Sequence, residues 1–224
     1  MRQLHLPMRI WDLPIRLFHW VLVILLAVSW WSAEMLWMRL HMWSGLTVMA
    51  LLMFRLIWGF IGSDTARFTR FLQSPVKAFH HLLDMRKREP DTEIGHNAAG
   101  GWMVLGLLGL LALQIASGLG AQDEGVVEGP LALALGKETS DWLTRLHHLN
   151  FKFIQIAVLL HVLAVVAYRL LKGQDLVTPM ITGKKRLPGA TRAPMMMHPV
   201  LGLAVFAVSA LAVFVFTRFF PVGG

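Results

Sequence analysis

Long uncharged stretches alternate with short charged segments along this chain. Five of the stretches are apolar and about as long as the 17–25 residues that a helix needs to cross a bilayer. We predict these helices at approximately Ile15–Ala33, Leu40–Ile61, Ala98–Ala121, Leu146–Leu170 and His198–Phe219. A buried helix of a soluble protein rarely runs this long, so the pattern predicts an all-α integral membrane protein.

Composition agrees with the hydrophobic pattern. The 224 residues are 56% hydrophobic and 15% charged, whereas a soluble domain usually has about 25% charged residues. The first stretch is unlike a cleaved signal peptide, because it opens with Trp11-Asp12-Leu13-Pro14 and lacks a small-residue cleavage site. We expect it to be retained as a helix.

The basic residues predict the orientation of the helices. If the N-terminus is cytoplasmic, most of the 21 lysines and arginines fall in cytoplasmic segments, as the positive-inside rule requires. The C-terminus is then expected outside. This asymmetry and the anionic headgroups of membrane lipid explain the net charge of +8. We therefore expect no nucleic-acid partner.

The connections between the predicted helices differ in charge. Ser63–Asn97 is cytoplasmic, and its Ser74-Pro75 pair predicts the start of a short helix. Val76, Phe79 and Leu82 then recur at helical spacing near Lys77, Arg86, Lys87 and Arg88. A helix on the inner membrane surface is one interpretation and a solvated loop is the other. Outside, Gln122–Asp141 is acidic, and the cytoplasmic Gly183–Pro194 is expected to be a basic linker.

Histidines within the predicted helices are the main indication of chemistry. The first helix contains His19, and the second begins with His41. The fourth contains His147, His148 and His161. Ionisable residues in membrane helices are costly and usually functional, although a lone histidine can also hydrogen-bond a neighbouring helix.

Depth in the membrane groups these histidines into two pairs. The second and fourth helices enter from outside, so His41 and His147 are expected near the outer face. His19 lies near the cytoplasmic start of the first helix, and His161 lies deeper in the fourth. In the fourth helix, His147 and His161 share a face about 21 Å apart. His148 points about 140° away from His161 and is the alternative outer ligand.

Two histidine pairs stacked across a bilayer indicate two six-coordinate haems, each held by imidazoles from two helices. The outer pair is His41 with His147, and the inner pair is His19 with His161. Zinc and copper also bind histidine, but their sites normally recruit further His, Cys or carboxylate ligands. The predicted helices contain no Asp or Glu beside these histidines, and the chain has no cysteine. The absence of cysteine also excludes iron–sulfur clusters and covalently attached haem.

Three further residues have properties that suit a bound haem. Gly45 lies one turn from His41 and would let a flat macrocycle approach the backbone, although small residues also serve helix packing. Arg16 lies one turn before His19, and Arg55 lies toward the inner end of the second helix. Either guanidinium would neutralise a haem propionate, and Arg16 has the alternative role of a topology anchor.

Several motifs follow one another in a fixed order. They are Trp11-Asp12-Leu13-Pro14 with Arg16 and His19-Trp20; His41 with Gly45, Arg55 and Trp58-Gly59; Gly95-His96-Asn97 before Gly100-Gly101-Trp102; and His147-His148 with His161. In this combination, over about residues 8–186, the chain resembles the bacterial cytochrome b561 and nickel–iron hydrogenase b-type cytochrome family. Members usually have proline after the His-Asn pair, where this chain has Ala98.

The resemblance implies a four-helix core with two haems b bound by His19, His41, His147 and His161. Residues 1–186 would form this di-haem membrane domain, and residues 187–224 a linker and an additional transmembrane helix. Many members stop after four helices. The fifth helix would then contact a partner subunit or a second copy in a homodimer.

The resemblance also implies a membrane electron conduit in the bacterial inner membrane. It would connect a periplasmic redox protein, such as a c-type cytochrome, to the ubiquinone or menaquinone pool. A quinone site is expected beside the inner haem, near His19, Arg16 and His96. Family members transfer electrons in both directions, and the sequence does not choose between them.

Two other functions are compatible with the sequence. Some relatives are superoxide oxidases, which reduce quinone with electrons from superoxide, and Arg145 and Lys152 near His147 would attract that anion. The second of these alternatives is a non-redox membrane protein that handles metal or haem. It would bind haem weakly and would not respond to quinol. The interrupted helices of many transporters are not apparent in the sequence.

Overall fold

Five long helices make up most of the fold. The computed structural model describes residues 5–84, 93–123 and 127–221. Its long helices are Leu13–Glu34, Met38–Ile61, Ala98–Gly120, Lys137–Ala167 and Pro199–Phe219. Each is long and apolar enough to cross a membrane, and each overlaps one predicted span. The prediction of an all-α protein with five membrane-spanning helices is confirmed.

The fourth helix is longer than the hydrophobic pattern predicted. It begins at Lys137 rather than near Leu146, directly after Gly136, whose φ of 78° ends the preceding turn. Its other end continues into a π-helical turn, Tyr168–Lys172. The early turns are polar, so they give no hydrophobic signal although the backbone is helical.

The structure divides into two compact units. Unit 1 comprises Met1–Leu17, Leu56–Gly106 and Val158–Leu203, and unit 2 comprises Phe18–Arg55, Leu107–Ala157 and Ala204–Gly224. His41 and His147 therefore belong to the same unit, whereas His19 belongs to unit 2 and His161 to unit 1.

A buried carboxylate caps the first helix in unit 1. Oδ1 of Asp12 accepts a hydrogen bond from the backbone N–H of Ile15 at 2.7 Å. Its Oδ2 accepts a second from the indole Nε1 of Trp58 at 3.0 Å. An N-cap aspartate satisfies a backbone donor that the helix leaves open. The Trp-Asp-Leu-Pro motif therefore has a structural role, which fixes the start of the first helix against the second.

Unit 1 also contains a two-stranded antiparallel ribbon, formed by His5–Arg9 and Lys184–Pro188. The backbone N–H of Ile10 extends the pairing by donating to the carbonyl of Gly183 at 2.9 Å. The segment Gly183–Pro194, predicted as a basic linker, therefore includes a strand, Lys184–Pro188, that the sequence did not predict. These strands are too short and too basic to show the alternation that marks a half-buried strand.

A short helix, Pro75–Leu83, follows the second long helix in unit 1. The Ser74 hydroxyl caps it by accepting from the backbone N–H of Lys77 at 3.3 Å, which confirms the predicted helix. Its apolar side chains Val76, Phe79, Leu82 and Leu83 are exposed. A position on the inner membrane surface stays a prediction, and Arg86, Lys87 and Arg88 lie outside the described residues.

The connection of unit 2 that is predicted to lie outside is attached to the fourth helix by polar contacts. The Gln122 backbone N–H donates to Oγ1 of Thr144 at 3.0 Å, and the Gln122 side-chain amide donates to Asp141 at 2.8 Å. Gln122–Asp123 also pairs with Val127–Glu128. Glu124, which belongs to the predicted acidic connection, lies outside the described residues.

One face of the fifth helix packs within unit 2. Val213 contacts a buried cluster with Leu46 and Ala50 of the second helix. Phe206 lies with its ring centroid 6.3 Å from that of Phe54. Close packing of this kind is the main force between helices in lipid. A contact of the fifth helix with a partner subunit or second copy stays a prediction.

Candidate functional site

Two imidazole rings face each other in unit 2. His41 lies in the first turn of the second helix, and His147 lies in the fourth helix. Their ring centroids are 6.1 Å apart and their planes meet at 82°. Both side chains are half-buried. The structure thus brings the predicted outer pair together, and their role as iron ligands stays a prediction that this geometry supports.

A backbone carbonyl orients each of these imidazoles. Nδ1 of His41 lies 2.8 Å from the carbonyl oxygen of Ser29, and Nδ1 of His147 lies 2.9 Å from that of Gln114. A carbonyl only accepts, so Nδ1 carries the proton in both rings and Nε2 keeps its lone pair. Metal-bound histidines usually donate their second N–H in this way. Both rings therefore have the tautomer that an iron ligand needs.

A cavity of about 520 Å³ adjoins the two histidines in unit 2. Cofactor sites commonly have volumes of about 300–1,000 Å³. The walls are mostly apolar and come from the first four long helices, with Leu46, Met49, Leu111 and Phe151 among the lining residues. Polar residues of the outer connection, Gln122 and Asp123, also line it. The cavity suits a large, mainly apolar molecule with a polar edge.

Two glycines leave space beside the histidines. Both Gly45 and Gly118 line the cavity. A Cβ at Gly45 would meet no heavy atom within 4 Å, so this backbone is open to the cavity. A Cβ at Gly118 would collide with the ring of His147. Gly45 was predicted from its spacing to His41, whereas Gly118 was not predicted.

These residues fit a haem b. Two imidazoles that bind one iron ion from opposite sides, at metal–nitrogen distances of about 2 Å, have ring centres about 6 Å apart. The spacing of the His41 and His147 rings agrees with that value. Within residues 5–84, 93–123 and 127–221, no group of three or more His, Asp or Glu side chains has the arrangement of a metal site. The donor set therefore suits haem better than zinc or copper.

His148 is placed differently from His147. Its side chain is exposed, and its ring centroid lies 6.4 Å from that of His147 with the planes at 89°. It lines the cavity, but the ring that pairs with His41 is that of His147. The choice of His147 as outer ligand stays a prediction, and this arrangement favours it.

The predicted inner ligands belong to different units. His19, in unit 2, is half-buried, and its ring packs edge-to-face on Trp20 at 4.9 Å. His161, in unit 1, is half-buried in the fourth helix. That helix is continuous over Lys137–Ala167, as the argument from helical rotation requires. The pairing of His19 with His161 stays a prediction from helix depth.

The two predicted propionate partners are at least partly buried. In unit 1, Arg16 donates from Nη1 to the carbonyl of Ile181, and its Nε is buried without a hydrogen-bond partner among the described residues. A buried donor of this kind suits an anionic group such as a propionate. In unit 2, Arg55 is only 3% exposed. Their roles as propionate partners stay predictions.

Sequence reasoning missed the polar residues next to His147. Nε2 of His147 accepts from the Gln114 side-chain amide at 3.0 Å, and Oε1 of Gln114 accepts from Asn150 Nδ2 at 2.7 Å. Asn150 is only 1% exposed. Neither residue is ionisable, but buried Asn and Gln in an apolar helix are also costly unless they are hydrogen-bonded.

A second missed group lies in unit 1. The Tyr168 hydroxyl lies 2.8 Å from Nε2 of His81, and the Asn97 side chain also hydrogen-bonds Tyr168. Tyr168 is 5% exposed, whereas His81 is half-exposed on the short helix. This chain of polar groups leads from a buried tyrosine to an accessible imidazole. The π-helical turn that starts at Tyr168 is a local irregularity of a kind that often marks functional positions.

His96 lies directly before Asn97 and is held between aromatic rings. Its ring centroid is 4.7 Å from Trp11 and 4.8 Å from Phe71. Oδ1 of Asn97 accepts from the backbone N–H of Gly100 at 2.7 Å and so caps the third helix. The Gly-His-Asn motif therefore combines a helix cap with an imidazole in an aromatic setting.

Comparison with known proteins identifies the family. The family model described as prokaryotic cytochrome b561 matches residues 10–183. Searches of curated proteins and of solved structures found no significant match. The matched region contains the four predicted ligands and the first four long helices, and it ends before the fifth. The chain belongs to the prokaryotic cytochrome b561 family, whose members are multi-pass, b-type membrane cytochromes of electron transfer.

Proposed function

We propose that this protein is a di-haem cytochrome b that transfers electrons between a periplasmic redox partner and the quinone pool. The observation that carries the proposal is the pairing of His41 with His147, whose tautomers and spacing suit a single haem iron. A bound haem supplies a one-electron couple. The protein would thus serve as the electron-transfer cytochrome b subunit of an oxidoreductase.

The second haem in this proposal is held by His19 and His161, at the inner level that helix depth predicts. The family relationship and the placement of four histidines at two depths support it. Arg16 and Arg55 would balance propionate charge. Gly45 gives the outer haem access to the backbone, since nothing lies within 4 Å of its Cβ position.

We place the quinone site on the inner side, beside Arg16 and His96 in unit 1. Quinone heads are flat rings with two carbonyl oxygens, and they suit a setting of aromatic faces and hydrogen-bond donors. His96 lies between Trp11 and Phe71, and the Arg16 guanidinium has several N–H donors, so a quinone would not need the Nε–H that suits a propionate. Either ubiquinone or menaquinone would fit this chemistry.

Quinone reduction consumes two protons for every two electrons, so the site needs a proton path. Asn97, Tyr168 and His81 form a hydrogen-bonded chain in unit 1. The half-exposed His81 exchanges protons with solvent. The Tyr168 hydroxyl would give its proton to the quinone and take one from His81, while the Asn97 amide only orients the hydroxyl. This chain supports cytoplasmic proton exchange at the quinone.

The proposal places the N-terminus in the cytoplasm of a bacterium and the C-terminus in the periplasm, as the basic residues predict. The acidic outer connection then faces the periplasm. Among its described residues are Asp123, Glu128, Glu138 and Asp141. A basic partner such as a c-type cytochrome would be attracted to this charge.

A stand-alone superoxide:quinone oxidoreductase is the alternative function. Arg145 and Lys152 are both exposed on the fourth helix of unit 2, near His147 in sequence, and would attract superoxide. Quinone reduction by superoxide with the purified chain alone separates this alternative from the subunit function, which requires a protein partner.

The test of the main proposal is a reduced-minus-oxidised visible spectrum with pyridine haemochrome quantification on detergent-purified protein. The expected result is about two haems b per chain and their reduction by added quinol. A chain without haem, despite full haem supply during expression, would refute electron transfer. It would leave a structural or metal-handling role for the histidines.

A further inference from the structure

The side chain of Gln114 occupies the atom of His147 that an iron ion would bind. The His147 Nδ1 proton points to the Gln114 backbone carbonyl, at 2.9 Å. The Nε2 lone pair of the same ring therefore accepts from the Gln114 side-chain amide, at 3.0 Å. An imidazole nitrogen has one lone pair. Gln114 and a haem iron accordingly compete for Nε2.

Asn150 fixes the direction of the Gln114 amide. Its Nδ2 donates to Oε1 of Gln114 at 2.7 Å and to the carbonyl of Leu110 at 2.9 Å. Because Oε1 accepts from Asn150, the NH₂ end of Gln114 is the end that faces His147. A reversed amide would present a second acceptor to the Nε2 lone pair and would repel it.

Helical spacing keeps these groups in register. Leu110 and Gln114 are four residues apart on the third helix, and His147 and Asn150 are three apart on the fourth. Residues at these spacings share a face. The whole arrangement lies within unit 2, and Asn150 is almost fully buried. Water therefore cannot easily replace Asn150 as the partner of Gln114 Oε1.

We propose that Gln114, held by Asn150, is a placeholder for iron at Nε2 of His147. In the haem-free chain it satisfies the lone pair of a half-buried imidazole and holds the ring in place. With haem bound, Nε2 of His147 would hold the iron, and the Gln114 amide would compete with the iron for that atom. Both residues are positioning residues. This inference rests on the proposed ligation of the outer haem by His41 and His147.

The first test measures haem loss from the purified holoprotein to an excess of haem-scavenging apoglobin. Haem loss from the wild type should have one kinetic phase for each haem, and the phase that is absent in His41→Ala is that of the outer haem. In Gln114→Leu this phase should slow about fivefold, the effect of removing one net competing hydrogen bond. Asn150→Leu should slow it less, since the Gln114 amide remains but is no longer fixed. The other phase should not change.

Gln155→Leu is the matched control, because Gln155 lies on the same helix with its side chain exposed. It should lose outer haem at the wild-type rate. Faster loss in Gln114→Leu would overturn the inference by showing that Gln114 supports the bound state. An unchanged rate would overturn it too. If His41→Ala keeps both haems, the proposed ligation itself fails, which is a different result.

A second test needs no purified variant. Membrane levels of full-length protein are compared in cells grown with limiting and with ample haem. Without Gln114 the haem-free chain leaves the Nε2 lone pair unsatisfied, so Gln114→Leu should accumulate to less than half the Gln155→Leu level only when haem is limiting. Equal levels under both conditions, or an equal deficit under both, would contradict a placeholder role.

Discussion

Gly118 of the third helix faces the imidazole of His147 so closely that an added Cβ would lie 2.8 Å from Cε1 and 3.1 Å from Nδ1. The ring cannot easily move away, because its Nδ1 is bonded to the Gln114 carbonyl at 2.9 Å. A side chain at this position must therefore displace the predicted ligand.

Gly118→Leu is expected to lower the haem content from about two per chain to about one. Gly109→Leu is the matched control, since Gly109 lies on the same helix and its Cβ would meet nothing within 4 Å. Pyridine haemochrome quantification of both purified variants is the measurement. Full haem content in Gly118→Leu would show that haem binding does not depend on the present position of the His147 ring.

Replacement of His147 tests the choice between two adjacent histidines. His147→Ala should retain only one haem, because the ring opposite His41 is removed. His148→Ala should retain both, because its ring is exposed and does not pair with His41. Visible spectra at saturating dithionite give the haem content. The reverse pattern would make His148 the ligand.

His161→Ala should lose the inner haem and keep the outer one. The remaining haem should still be low-spin, since its proposed ligands His41 and His147 are intact in unit 2. Electron paramagnetic resonance of the oxidised variant distinguishes the two sites. If His161→Ala keeps both haems, the pairing by helix depth is wrong.

Tyr168→Phe removes the hydroxyl that joins Asn97 to His81 without changing the shape of the ring. We expect turnover with quinone to slow by about tenfold or more, since a lost proton donor commonly costs at least that much. Haem content should be unchanged. Stopped-flow haem reduction by quinol, measured over a range of pH, reports the effect.

His81→Asn should slow the same reaction. His80→Asn should not, because His80 is the exposed neighbour on the same short helix. If Tyr168→Phe, His81→Asn and His80→Asn all react at the wild-type rate, this polar chain has no part in proton transfer. The haem assignments would not be affected.

Asp12→Ala should destabilise the fold rather than the chemistry. It removes a helix cap and leaves the fully buried Trp58 indole N–H without its acceptor. The expected cost is about 2–4 kcal/mol, seen as a lower thermal midpoint of haem release in detergent. Asp175→Ala, at an exposed carboxylate that accepts from the backbone N–H groups of Val177 and Thr178, should cost much less. Similar losses in both would argue against a special role for the Asp12–Trp58 bond.

The long helices were predictable because a bilayer imposes a minimum apolar length. Most helix ends lie close to the predicted residues. The fourth helix begins earlier, since Lys137–Asp141 is polar but stays helical outside the apolar region. The ribbon of His5–Arg9 with Lys184–Pro188 was not predictable, because pairing between distant segments leaves no periodic pattern in either.

The proximity of His41 and His147 was predicted from depth and helical rotation, and their role as outer haem ligands stays a prediction. The groups around the pair were not predicted. Gln114 and Asn150 are uncharged, and their value depends on which atoms meet across two helices. Ser29 contributes only a backbone carbonyl to His41, a contact that any residue type at that position can make. Such partners become visible only in three dimensions.

Val213 of the fifth helix packs against Leu46 and Ala50 of the second, and Leu46 also lines the cavity beside His41. A ribosome delivers the second helix to the bilayer well before the fifth. Before the fifth helix is inserted, Leu46 and Ala50 therefore contact lipid acyl chains or an insertase instead of Val213. Maturation of the pocket is complete only when the fifth helix has inserted, so cofactor loading is expected to follow translation.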